Sequence, residues 1–192
     1  ILGCWFMRTL KRRRPRTTTY QLVGACFLFC VVLDLVGESL WIRTGLYSYP
    51  GAIRSLSLFA GHYYQFPVYS GVIWSVAWTT FASLRYFRDD RGNTIAERGI
   101  DELRVSPRKR TTIRFFALLG AMNLILLIFY APIGLFFAPR SDPWPKSILS
   151  RSYLTDGLCG PRTTYACQGP NVPNPRPNSA HVNPSGQLVP GS

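Results

Sequence analysis

Hydrophobic positions along the chain gather into three long runs separated by basic stretches. Tyr20 to Trp41 is apolar enough for a helix of about 33 Å, the thickness of a bilayer core. Tyr63 to Leu84 is a second run, with Pro67 near its start and Trp74 and Trp78 inside. Gln65, Ser70, Ser75, Thr79 and Thr80 dilute it, which suits a helix facing other helices more than lipid. Phe115 to Phe137 is the most apolar, interrupted by Asn123 and by Pro132, where a kink is expected. The pattern predicts an all-α fold, a polytopic transmembrane helix bundle over residues 1–138. From Pro139 onward the period disappears. Ten of the fifteen prolines fall there, and residues 139–192 read as a Pro/Gly-rich tail, extended or disordered.

Charge gives the bundle an orientation. The chain has 192 residues, 47% of them hydrophobic, and a net charge of +13. Arg8, Lys11, Arg12, Arg13, Arg14 and Arg16 precede the first run, and nine Arg and Lys residues from Arg85 to Arg114 join the second to the third. The loop between the first two runs holds only Arg43 and Arg54. By the positive-inside rule, 1–19 and 85–114 are expected in the cytoplasm, and 42–62 and the tail outside. A basic chain also raises nucleic-acid binding. The charges sit beside apolar runs with no recognition motif, so the expected partner is the lipid bilayer, not nucleic acid. The apolar start, Ile1 to Met7, reads as the end of an earlier span, and the chain as the C-terminal portion of a longer protein. A signal peptide would put its charges first. No oligomeric state is read from the pattern.

Candidate chemistry begins inside the first run. Asp34 and Glu38 are four residues apart, on one helix face with Cys26 and Cys30. A carboxylate in hydrocarbon is costly and points to function. By helical rise Asp34 lies about 10 Å, and Glu38 about 4–5 Å, below the outer end of the run. The loop returns to Gly61-His-Tyr-Tyr-Gln-Phe-Pro-Val-Tyr69 at the same end. Trp41, Tyr63, Tyr64, Gln65 and Tyr69 become candidate substrate-binding residues, and His62 joins the acids as a candidate catalytic group. Two close carboxylates in low dielectric cannot both ionise easily, so one is expected neutral as general acid and the other charged as general base. Plainer readings stand beside these. Glu38 can pair with Arg43 at the membrane edge, the aromatics can form an interfacial belt, and the cysteines can be packing residues. Four ligands on one helix cannot close a tetrahedron, so no metal is expected there.

A second candidate cluster is Asp89, Asp90 and Glu97 in the basic loop. Adjacent aspartates suit Mg²⁺ and diphosphate chemistry, but no further acid follows at helical spacing, and a salt-bridged turn is the competing reading. Cys159 and Cys167, on the expected outer side, can form a disulfide. Phosphate-cradling glycine loops, nucleophile elbows and dinucleotide fingerprints are missing from the sequence.

The strings Trp41-Ile-Arg-Thr-Gly-Leu-Tyr-Ser-Tyr-Pro-Gly-Ala-Ile53, Gly61 to Tyr69, Arg85-Tyr-Phe-Arg-Asp-Asp-Arg-Gly92 and Glu97-Arg-Gly99 resemble the AveC-type spirocyclase family of actinobacterial polyketide biosynthesis. Asp156-Gly-Leu-Cys-Gly160 and Tyr165-Ala-Cys167 also look similar, so the resemblance runs from about Glu38 to the end. It implies an integral membrane enzyme of antibiotic and other secondary metabolism, closing a dihydroxyketone into a spiroketal, in some members with dehydration. That chemistry implies a hydrophobic small-molecule substrate and needs no cofactor. Ser70 stands after Pro-Val-Tyr, where the family pattern leads one to expect an acid. A non-catalytic membrane protein that binds or carries a lipid or polyketide is the alternative, and a scaffold whose acids set helix packing is a third.

Overall fold

The structure is a computed structural model, and it describes residues 1–155, 157–160, 162–167, 169, 172 and 178–191. It is mostly helical. Four helices dominate: α1 (Leu2–Arg13), α2 (Thr19–Arg43), α3 (Val68–Tyr86) and α4 (Pro107–Pro132). Two short helices follow, α5 (Lys146–Leu149) and α6 (Ser152–Thr155). The strands are two-residue pairs: β1 (Ser57–Leu58) with β2 (Phe66–Pro67), and β3 (His181–Val182) with β4 (Leu188–Val189), both antiparallel.

Among the described residues, two helical stretches are long and apolar enough to cross a membrane, Thr19–Arg43 and Pro107–Arg140. The second expected run is a helix, but it starts at Val68 and not at Tyr63, and it is not among those two. Its seryl and threonyl positions are the reason: Ser75 and Thr79 are buried, and the Thr79 and Thr80 hydroxyls bond carbonyls one turn back. The break expected at Pro132 takes the form of a π-helical turn over Ile133–Phe137. Proline has no N–H for the carbonyl four residues earlier, and the ladder re-registers beyond it. The tail is more ordered than expected: its described residues include α5, α6 and the β3–β4 hairpin. The hairpin turn closes on Asn183, whose side-chain oxygen accepts from the Gln187 N–H, with Gly186 at φ +85°.

The chain divides into two compact units, Ile1–Asp34 with Val72–Ala131, and Leu35–Gly71 with Pro132–Ser192. Residues on both sides of the 138 boundary therefore share the second unit.

In the first unit Met7, Leu22, Cys26, Cys30 and Ala82 form a buried core, with Phe6, Leu10, Val23, Phe29, Tyr86 and Phe87 packed against it. Phe6 stacks on Phe29 with centroids 4.4 Å apart. Cys26 and Cys30 thus pack in the core at helical spacing. Gly3 lets the backbone of α1 approach closely, since a Cβ there would lie 2.9 Å from the Ala82 Cβ and 3.4 Å from the Cys26 sulfur. Trp74 of α3 meets Tyr130 of α4 at 5.6 Å. No residue of α4 is buried, although most are apolar. The loop from Phe87 to Ser106 is closed by polar bonds. Asp101 accepts from the Asn93 amide and from Arg114, which hold its carboxyl below the ordinary carboxylate range.

In the second unit Ile42, Ala52, Phe66 and Ile148 are buried. The Asp142 N–H donates to the Ala52 carbonyl, and the Arg54 N–H to the Asp142 carboxylate. Cys159 and Cys167 form a disulfide.

Replacing Gly3 by valine should destabilise the first unit by about 1–3 kcal/mol through overpacking. The check is chemical unfolding of the purified protein in detergent, where an unchanged midpoint would show that α1 does not make this close approach.

Candidate functional site

Glu38 lies in the last turns of α2, half-buried, and the chain turns back over it. The turn has a local cause. The Thr44 and Gly45 N–H groups bond the Trp41 and Ile42 carbonyls, and Gly45 adopts φ +80°, a conformation open to glycine at little cost. A side chain at Gly45 would also meet the Tyr153 hydroxyl at 3.0 Å. Beyond the turn, the alternating positions Tyr47 and Tyr49 point to one side. Both hydroxyls donate to the same carboxylate oxygen, Glu38 Oε1, at 2.6 Å from Tyr47 and 2.5 Å from Tyr49. The two rings meet edge to face at 5.9 Å, and Tyr49 meets buried Phe66 in the same way at 6.2 Å. Among the described residues, no donor addresses Oε2.

A buried glutamine fixes this arrangement. Gln65 is 1% exposed, and its amide nitrogen donates to the Tyr49 carbonyl at 2.6 Å and reaches the Pro50 carbonyl at 3.4 Å. Its side-chain oxygen accepts from the Gly61 N–H. The amide therefore clamps the segment carrying Tyr49 to the loop before α3. Ser70, also buried, bonds the Tyr49 hydroxyl from the first turn of α3. The serine that stands where an acid was expected is thus in contact with the phenol that holds Glu38.

Burial, then the hydrogen bond and charge of Glu38, raise the Tyr49 pKa well above the ordinary phenol value of 10.0. Tyr49 is a neutral donor across the physiological range. Two phenols donate to one carboxylate oxygen and leave the other free of protein donors among the described residues.

The remaining expected residues separate into groups. His62 is exposed and stacks on Tyr64 at 4.9 Å. The Arg43 guanidinium lies over the Tyr64 and Phe59 rings, at 4.8 and 4.7 Å, and that of Arg151 over Tyr63 at 3.9 Å. Tyr63 donates to the Arg43 carbonyl. His62, Tyr63 and Tyr64 thus belong to a cation–aromatic stack at the surface, and Arg43 joins it in place of a salt bridge to Glu38. Tyr69 stacks on Phe137 at 4.2 Å. Trp41 is 65% exposed. Asp34 is half-buried and belongs to the first unit.

The basic-loop acids hold the loop itself. Asp89 accepts from the Arg91 and Asn93 N–H groups at 3.0 and 2.8 Å, and Glu97 from both the N–H and the hydroxyl of Thr94. Asp90 is exposed. Among the described residues, no group of three or more His, Cys, Asp and Glu side chains is placed to hold a metal ion.

Tyr47 and Tyr49 are the residues that the sequence reading missed as site residues. Their signal was present: a glycine stop after a helix, then Tyr-Ser-Tyr alternation running back over the last helical turns.

A mostly helical protein, with two stretches long and apolar enough for a bilayer and a tyrosine-held carboxylate at the end of one, is the class defined so far. The chain belongs to the AveC-like spirocyclase family, whose model matches residues 1–154. The match starts upstream of Glu38 and stops before the tail strings that looked similar; of those, Asp156 also lies outside the described residues. No curated protein and no solved structure matches the chain.

Tyr49 should stay protonated as pH rises past its ordinary range. The unfolded chain loses that proton first, so the stability contributed by the bonded phenol is fully present below about pH 10 and falls as pH rises above it. Difference titration by tyrosine absorbance, wild type against Tyr49→Phe, checks this. A normally titrating component lost in the variant would contradict the buried Tyr49–Glu38 bond.

Proposed function

We propose that this protein is a membrane-embedded cyclase of secondary metabolism, closing a dihydroxyketone polyketide precursor into a spiroketal by acid–base catalysis. The observation that carries the reading is Glu38: a carboxyl at the end of an apolar helix, gripped on one oxygen by two phenols and open on the other. Family membership supports the reaction class. The apolar, unburied surface of α4 supports a lipid surrounding. The run of basic residues supports the expected orientation, with 1–19 and 85–114 in the cytoplasm.

The chemistry needs one carboxyl that changes state twice. Glu38, protonated at Oε2, gives its proton to the hydroxyl of a hemiketal carbon. That C–O bond breaks, water leaves, and an oxocarbenium ion remains. The carboxylate so formed is stabilised by Tyr47 and Tyr49 and faces the cation. The second substrate hydroxyl attacks the carbon, and its proton passes to Oε2, which restores the acid. The net change is loss of one water. Tyr49, fixed by Gln65 and Ser70, is a positioning residue in this scheme. Asp34 is a separate candidate acid, and His62 a candidate for orienting substrate oxygens. No step calls on a redox cofactor. A dehydrated spiroketal needs a second water: a further hydroxyl on a ring carbon would leave as water, and the proton on the neighbouring carbon would be lost with it.

The test is a deletion strain complemented with variants. Glu38→Gln, close in shape, should lower spiroketal formation roughly hundredfold or more, with normal membrane insertion. The strain should accumulate the uncyclised ketone or a mixture of spiro stereoisomers, read by mass spectrometry and chromatography. Tyr49→Phe should give an intermediate loss, and Asp34→Asn tests the second acid. Wild-type turnover by Glu38→Gln would sink the assignment and favour a carrier that binds its polyketide without converting it.

A further inference from the structure

The first unit contains a cavity of about 690 Å³, within the range of ligand sites. It is lined by Ile1, Cys4, Trp5, Arg8, Lys11 and Arg12 from the start of the chain and α1, and by Arg85 and Tyr86 at the end of α3. Four cationic side chains face one cavity, and no acid lines it. Among the described residues, the ion pairs are Arg91–Glu102 and Arg114–Asp101, so Arg8, Arg12 and Arg85 have no carboxylate counterion. The Lys11 ammonium bonds the Pro15 and Thr17 carbonyls at 2.9 and 2.7 Å, which holds the α1–α2 turn.

The helix dipole explains only part of this. Lys11 and Arg12 complement the C-terminal end of α1. Arg8 lies a turn earlier, and Arg85 comes from another helix. Like charges converging on a cavity repel, and an anion between them removes the repulsion. The lining also has an apolar and aromatic share: Trp5 is 57% exposed, beside Cys4 and Tyr86. α2, whose first part to Asp34 lies in the same unit, begins a few residues after α1 and is long and apolar enough to cross a bilayer. Free phosphate would use the arginines alone. A phospholipid would use both the cations and the apolar rim.

We propose that this cavity binds the phosphate headgroup of an anionic phospholipid, with Arg8, Arg12 and Arg85 on the phosphate and Trp5 beside the chains. Basic pockets next to membrane helices take such headgroups. The site is independent of the Glu38 chemistry.

The experiment uses the full chain, purified in neutral detergent, and reads retained lipid by native mass spectrometry. Phosphatidylglycerol and phosphatidylcholine with identical chains compete, since they share the phosphate and differ in net charge. Phosphatidylglycerol should be retained roughly tenfold better. The paired variant Arg8→Gln with Arg12→Gln should weaken that retention by roughly thirtyfold, and Arg85→Gln, from the other helix, by about fivefold. Arg108→Gln with Lys109→Gln removes the same charge outside the cavity and should change retention less than about threefold. Circular dichroism confirms that each variant is folded. Equal losses from the two paired variants would mean diffuse attraction and overturn the proposal. So would capture of inorganic phosphate with no preference between the two lipids.

Discussion

One constraint organises the second unit: a carboxylate near the end of an apolar helix must find donors. Glu38 is half-buried, and a carboxylate taken out of water without donors is costly. Here the chain supplies them itself. It stops α2 at Gly45 and returns two phenols to Glu38 Oε1. The rest of the loop serves that return. Gln65 clamps the Tyr49 segment, Phe66 packs its ring and Ser70 meets its hydroxyl. Arg54 and Asp142 tie the loop to the segment after α4. A structural account of Glu38 alone would need only one donor. Two donors on one oxygen, with the second oxygen unaddressed among the described residues, make a polarised group.

The first unit solves a different problem. Its core is small, a few residues from α1, α2 and α3, and much of its apolar surface lies outside that core. Close approach stands in for bulk. Gly3 and Ala82 allow backbones together, and Cys26 and Cys30 are compact enough for the seam. Such packing suits helices whose outer faces contact an apolar medium, since association then depends on fit more than on burial from water.

The helices were legible because their apolar runs are long. The three expected runs each contain a helix, and the acids of α2 stood out by their cost in an apolar context. The start of α3 was misplaced because Tyr63 to Phe66 looks like helix by hydrophobicity alone. Pro67 decides the matter: the residue before a proline is pushed to extended backbone, and Phe66–Pro67 forms a strand. His62 looked like a partner for the acids because it is close in the returning loop. Its ring is instead exposed and stacks on Tyr64. Tyr47 and Tyr49 went unselected because phenols at a membrane edge read as a belt. Only the turn at Gly45 tells that they point back at Glu38. The ordered parts of the tail were hidden by composition: proline and glycine suggest disorder, yet a disulfide and an Asx turn can order short stretches without a hydrophobic period.

Ser70 bears on how the site divides its work. An acid at that position would place a second carboxylate against the Tyr49 hydroxyl, and the phenol could then donate to only one of two competing acceptors. With serine there, Tyr49 gives its single proton to Glu38 and accepts from Ser70, so the donors run in one direction, from α3 through the phenol to the carboxylate. A one-way chain directs its donors to one named group and leaves no second acid competing for the phenol proton. For a reaction that needs a carboxyl to give a proton and then take one back, such asymmetry is useful. In the proposed reaction Oε1 keeps its two phenol bonds, and the proton exchange falls to Oε2.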